Sequence, residues 1–496
     1  MAKDFDIKSH LATYLDDIGL DARDCGGEVV FTGADPILHS RIRLGACLAI
    51  PAMACGVGAA AIWKDRTGEG QNVSVDLREA VWNINPFYKF WVMNGVKAGA
   101  MAPDDPLVEQ VQFIPTLNGR LMQAPFFVGN PISFKIFESK DGKPVTATGL
   151  YHHHMDNFLR IIGCPPEADA IAKAVGNWNA EDLEAACFEN GAIFSIHRTA
   201  EEWSQHPQGQ YLATVPLIEI EKIGDSEPVA FNSVGNQPLS GIKALSCTHV
   251  IAGTTAARTL AQYGAEVLHV ARAQAYEHEF FVTDVNVGMR STWLNMKTME
   301  GQNTLNQLLP EADVFVQNMR SLDKYGFSPE QIAEKRPGII YLSGNCYGFD
   351  GPWGSHGGFD MEGCSVSGIT MSEGDAGRPQ YPPTGIINDF VAGYIGASGV
   401  MAALRRRAQE GGSYHVKISL TRCAMWYGGL GMFETKDVDG TNPDHMMVPP
   451  RTIRRRTPYG EIVRLAPLGQ LSRTPSRWQD PIVHVRGAAE PAWQGA

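Results

Sequence analysis

Two stretches of this chain follow one plan at an offset of 343 residues, and that repeat limits what the chain can fold into. Residues 60–80 read AAIWKDRTGEGQNVSVDLREA, and residues 402–423 read AALRRRAQEGGSYHVKISLTRC. Each runs from a helix of small residues through a charged helix end and a Gly-rich turn into an alternating segment. That segment carries Val73, Val75 and Leu77 in one copy and Val416, Ile418 and Leu420 in the other. Period-two alternation fits a half-buried strand, and the pairs Gly68/Gly70 and Gly411/Gly412 fit a helix C-cap and turn. Two related units are therefore expected. The same alignment sets Ala46 opposite Asp389, so only the second copy holds a carboxylate at that place.

With 496 residues the chain exceeds one ordinary core, and two or three packed units are expected. A net charge of −12 argues against nucleic acid as a partner. An anionic ligand must then be held by local basic residues and backbone N–H groups. The nine cysteines are scattered without a C-x-x-C pair, which predicts buried, reduced thiols. His152, His153 and His154 are adjacent, so their side chains do not converge, and no metal site is expected. The apolar stretch Ala46–Trp63 is rich in Ala and Gly and holds Pro51. It is expected to be a tightly packed internal helix, not a membrane span. MAKDFDIKSHLATYLDD has no apolar leader pattern and PAWQGA is no peroxisomal signal, so a cytoplasmic protein is expected.

The composition divides the chain into residues 1–225, a linker over 226–240, a second domain over 241–440, and a Pro/Arg-rich tail over 441–496 that wraps a surface. The Arg run of the tail reads as a solvated face. In the second domain, strands are expected at Ile242–Ser246, Ala265–Val270, Ala312–Gln317 and Gly338–Gly344. Helices are expected at Ala252–Tyr263, Gly301–Leu309 and Pro329–Lys335. Alternating strands and helices predict an α/β fold with a Rossmann-like parallel sheet domain, joined to a smaller α+β domain. No G-x-G-x-x-G follows the first strand, so a dinucleotide fingerprint is absent.

Several segments resemble the CaiB/BaiF family of class III CoA-transferases. They are LSGIKALSCTHVIAGTTAARTLAQYGAEVLHV, VNVGMRSTWLNMKTMEG, ADVFVQNMR, IIYLSGNCYGFDGPW and IINDFVAGYIGASGVMAAL, within residues 238–425. RTGEGQNVSVDLREA and RTAEEWSQHPQGQYLATVPLIEIEKIGD resemble the same family's small-domain side, so the half-domains look rearranged. The resemblance implies that residues 241–440 bind CoA and catalyse, that acyl-CoA and a small carboxylic acid are the substrates, and that the chain is a homodimer. It implies no permanently bound cofactor, with coenzyme A as substrate and product.

By family position, Asp389 is the catalytic carboxylate, attacking a thioester to form a covalent intermediate. From the residues alone, Asp389 reads first as a helix N-cap. The resemblance and the phosphates of CoA point to Arg272, Arg290, Lys297, Asn318, Arg320 and Lys324 as contacts. The segment after Arg320 is about three residues shorter than in the family, which leaves two readings open: Lys324 replaces a family Arg, or the diphosphate grip is weaker. Related racemases carry His where this chain has Phe359. Phe cannot move a proton, which counts against two-base racemisation, although His356 lies three residues earlier. A Gly-rich loop of the small domain is missing, with Gly209 a poor match. Two alternatives stay open: an α-methylacyl-CoA racemase-like isomerase, and a non-catalytic CoA-binding scaffold.

Overall fold

The computed structural model describes residues 5–86, 116–121, 130–232, 235–272, 277–319, 322–375, 377–438, 443–445 and 447–494. Seven strands form the main sheet: β1 (Glu219–Gly224), β2 (Lys243–Cys247), β3 (Glu266–Arg272), β4 (Met289–Leu294), β5 (Val314–Gln317), β6 (Ile340–Asn345) and β7 (Ser413–Ser419). Their order is β4-β3-β2-β5-β6-β7-β1. All neighbours are parallel except β7 and β1. Both faces are covered, so β5 and β6 read as apolar runs instead of alternating. The strand order reverses between β2 and β5. In such sheets, the crevice beyond the strands' carboxyl ends at this reversal is where ligands bind.

Five helices position the site: α1 (Leu44–Thr67), α2 (His152–Ile162), α3 (Ala252–Gln262), α4 (Asp360–Val366) and α5 (Asn388–Glu410). Helix α5 packs between α3 and α1, and small residues let the backbones close in. A Cβ on Gly393 would sit 2.5 Å from the Thr255 side chain. Cys55 Sγ in α1 donates to the Tyr394 carbonyl in α5 at 3.1 Å. Helix α1 is apolar on every side because it is buried on every side from Leu44 to Ile62, and its bilayer-length stretch lies wholly inside the protein core.

The repeat is visible as α1, strand Val73–Asp76 and helix Leu77–Ile84 against α5, β7 and helix Leu420–Gly428. It extends to the helix starts. Asp35 accepts the N–H groups of Gly45 and Ala46, both at 2.8 Å. Asp360 Oδ2 accepts those of Ile387 at 3.0 Å and Asp389 at 2.8 Å.

Core packing runs across residue 225. Strand β1 precedes that position yet pairs with β7, and one apolar core joins Leu48 and Val57 to Ala256, Val391 and Met401. A smaller α+β unit is distinct. Its antiparallel strands Phe137–Glu138, Pro144–Ala147 and Phe194–Ile196, with α2 and two further helices, surround Val145, Phe158, Leu183 and Phe194. In the tail, Thr452–Thr457 and Gly460–Leu465 form a hairpin with Arg454, Arg455 and Arg456 exposed. Arg464 turns inward and shares Asp284 with Arg258, at 2.7 and 2.8 Å, which ties the tail to the sheet domain.

Candidate active site

The chain enters helix α5 at Asn388 from Ile387, whose backbone is neither helical nor extended, and Asp389 lies in the first turn. Asp389 is not the cap of that helix. Asp360, at the start of α4, takes the two N–H groups, and Asn388 Nδ2 ties the two helix starts by donating to the Asp360 carbonyl at 2.9 Å. The Asp389 carboxylate accepts no hydrogen bond from any described residue and lines a cavity of about 470 Å³. Burial, then the charges of Asp360 and Glu362, hold its carboxyl well above the usual range. Asp360 is pushed up to about 7, chiefly by burial. Glu362 is also raised by burial, although Thr148 Oγ1 (2.6 Å) and the Phe359 N–H (2.9 Å) donate to it.

The cavity opens at the strand-order reversal. Its floor is made by the segments after β2, β5 and β6, which bring His249, Asn318 and Cys346 together. Asn318 joins two of these segments: its Oδ1 accepts the His249 N–H at 3.0 Å and its Nδ2 donates to the His249 carbonyl at 2.9 Å. Opposite stand Phe188 and Ile193 of the smaller unit. Arg272 and Lys324, both exposed, place two cations in the lining.

The structure thus brings Asp389, Arg272, Asn318 and Lys324 to one cavity. Arg290 and Lys297 are not among its lining residues. Arg290 lies in β4, where its guanidinium donates to Glu266 Oε1 at 3.1 Å and to the Ala492 carbonyl. Exposed Lys297 lies just after β4. Arg320 lies outside the described residues. Phe359 lines the cavity, as does His356, whose ring stacks on Phe188 at 4.1 Å. Gly209 sits in the helix Pro207–Thr214, and the glycines lining the cavity are Gly191, Gly344, Gly357 and Gly358.

Sequence reasoning missed a polar cluster on the same wall. The Tyr151 hydroxyl donates to Glu277 Oε1 at 2.9 Å and lies 3.2 Å from His249 Nδ1. With its proton on the carboxylate, the Tyr151 oxygen accepts from Nδ1–H, which fixes His249 with Nε2 unprotonated. Burial, Arg272 and neighbouring histidines push His249 down to about 3, so the ring stays neutral. His153 and His154, at the start of α2, also line the cavity. The three partners Tyr151, His249 and Glu277 come from separate segments with no shared motif. The one available signal was a polar His inside the apolar strand-to-helix turn THVIAG.

A buried carboxylate held at a helix start, in a crevice with a cationic edge, suits attack on a carbonyl carried by an anionic ligand. Residues 239–455 match the family model for CoA-transferase family III. This part of the chain is similar to CoA-transferase family III. The family III region contains Asp389, Asp360 and every cavity residue from β2 onward. The acetyl-coenzyme A transferase nodX of Hypoxylon pulicicidum is 29% identical over 322 residues, covering 59% of this chain and 53% of that protein. An acyl-CoA transferase of Gibberella moniliformis is 31% identical over 303 residues, 58% of this chain and 53% of that one. The (R)-2-hydroxy-4-methylpentanoate CoA-transferase of Clostridioides difficile is 31% identical over 216 residues, 40% and 53%. The chain spans about half the length of these curated relatives. A solved CaiB/BaiF family protein from Brucella suis is 27% identical, covering 39% of this chain and 55% of that one with a TM-score of 0.37.

Proposed function

We propose that this protein moves CoA from an acyl-CoA thioester to a carboxylic acid through covalent intermediates on Asp389. One observation carries the reading: the Asp389 carboxylate faces the cavity at a helix start while Asp360 does the capping. The family III match and the CoA-transferases among its relatives support the same chemistry.

Asp389 attacks the thioester carbonyl, the C–S bond breaks, and CoA leaves as thiolate with an acyl-aspartyl anhydride formed. The thiolate then attacks the aspartyl carbonyl of the anhydride. This gives an aspartyl-CoA thioester and frees the first carboxylate. An incoming carboxylate repeats the two steps in reverse order, so Asp389 ends as it began and no net proton is needed. The positive end of the α5 dipole favours the oxyanion formed at each attack. Arg272, Lys324 and Asn318 supply contacts to the CoA phosphates and backbone. A homodimer acting in the cytoplasm accords with the resemblance to CaiB/BaiF proteins.

The test is direct. The protein is incubated with acyl-CoAs and a panel of carboxylic acids in heavy water, and the thioesters are read by mass spectrometry. New CoA esters without deuterium at the α-carbon are expected. Deuterium uptake without CoA exchange would replace this reading with an isomerase. CoA binding with neither reaction would leave a scaffold.

A further inference from the structure

Asp389 borders a second space besides the large cavity. This chamber, of about 10 Å³, is lined among the described residues by apolar side chains, chiefly Phe134, Val250, Ile251, Phe281, Phe359 and Ile386. Its polar members are Asp360 and Asp389. Asp389, Val250, Ile251 and Phe359 line both spaces, so the two meet across the carboxylate. The large cavity is the more polar one, with His249, Asn318 and two cations; among the described residues the chamber offers no charge besides the carboxylates. A space of this size takes roughly one water-sized group.

The wall between the spaces is strained. Val250 has φ +54°, a left-handed conformation that a β-branched residue adopts only when its surroundings impose it. The segment around it is fixed, because Asn318 bonds both backbone groups of His249 and the neighbouring Ile251 is 2% exposed. Phe281, at 2% exposed, and Ile386, at 6%, close the chamber from other elements. Such a wall does not yield to an added methylene without moving core side chains.

We infer that the chamber receives the alkyl end of the acyl group, which makes short acyl groups, acetyl and propanoyl, the substrate class. The inference rests on the CoA-transfer reading above. With the thioester carbonyl at Asp389, CoA extends through the polar cavity toward Arg272 and Lys324, and the acyl end turns to the apolar side. An acetyl methyl fits the chamber as it stands. A butanoyl chain presses on Phe281, Ile386 and the Val250 wall.

The experiment uses the full chain and acyl-CoAs of two, three, four and six carbons. Each is paired with its own ¹³C-labelled acid, and label entering the thioester is followed by mass spectrometry. In the unaltered protein, exchange is expected to fall about tenfold per methylene beyond propanoyl. Val250→Gly removes the wall side chain and relieves the backbone strain, so it does not endanger folding; Phe281→Ala enlarges the chamber from the other side. Each is expected to raise the butanoyl-to-acetyl ratio about tenfold. The inference is overturned if hexanoyl-CoA exchanges as fast as acetyl-CoA, or if both variants keep the original ratio. If no acyl-CoA exchanges label, the CoA-transfer reading fails and the inference fails with it.

Discussion

The Asp389 N–H donates to Asp360 Oδ2 at 2.8 Å, so one carboxylate fixes the backbone of the other while its own charge opposes ionisation there. A helix start normally caps itself with its own side chain. Here the duty is passed to a residue 29 positions earlier, and the Asp389 side chain is left for the cavity.

Replacing that side chain should stop the reaction at its first bond. Asp389→Asn keeps the shape and loses the nucleophile, and turnover should fall by about 10³-fold or more. CoA affinity, read by calorimetry, should stay within a few-fold, because the cationic edge is untouched. Retained turnover would remove Asp389 from the mechanism.

Asp360→Asn separates capping from charge. The amide oxygen still accepts the two N–H groups, but the like charge beside Asp389 is gone. Asp389 must be ionised to attack, and losing a neighbouring anion lowers the pH at which it ionises. The rising limb of the rate-versus-pH profile should therefore move toward acid, by about one pH unit. It should not reach the ordinary carboxylate range, because burial is the larger cause of the shift.

Arg272 and Lys324 line the cavity and Arg290 does not. Alanine at either of the first two should raise KM for acyl-CoA about five- to tenfold with kcat nearly unchanged, and added salt should shrink the difference. Arg290→Ala should leave KM within about twofold, since that guanidinium is engaged by Glu266 and the Ala492 carbonyl. Equal effects at all three would contradict the placement of the CoA phosphates.

Stability should fall as pH rises from about 7.5 to 8.5. The buried imidazoles His197 and His415, pushed down to about 3, and His269 and His278, pushed down to about 4, favour the fold most above their ordinary 6.5. Above about pH 7.5 they are neutral in both states and contribute almost no slope. Asp360, pushed up to about 7, and Asp389, held well above the usual carboxylate range by burial and the charges of Asp360 and Glu362, keep protons in the fold that the unfolded chain has already released near 4. With more protons bound when folded, stability declines through this window. The urea midpoint should drop between the two pH values, and Asp389→Asn should flatten the decline.

Strands β2, β5 and β6 were legible because buried parallel strands read as apolar runs such as DVFVQ and GIIYLSG. Edge strand β4, MRSTWL, was missed: Arg290, Thr292 and exposed Trp293 give it no apolar run. Asp389 was legible only through family resemblance, because an Asp in a first helical turn also suits a cap. That Asp360 holds this position is a fact of tertiary placement. So is the Tyr151–His249–Glu277 contact, built from residues up to 126 positions apart. Arg290 looked like a phosphate contact because its partner Glu266 lies on the adjacent strand, which charge counting along the chain does not reveal.

The repeat supplies the last prediction. Ala46 occupies in α1 the place of Asp389 in α5, and Asp35 binds its N–H as Asp360 binds that of Asp389. The similarity stops at the side chain. Ala46 is fully buried and lines neither of the two spaces that Asp389 borders, and Asp35 is already raised to about 6 by burial. Ala46→Asp therefore sets a second buried carboxylate against Asp35 with no solvent or thioester to meet it. It should cost about 3 kcal/mol or more and lower the melting temperature by several degrees. CoA binding should stay at one site per chain by calorimetry. A second binding event in that variant would show that the first copy keeps a working crevice and lost only its carboxylate.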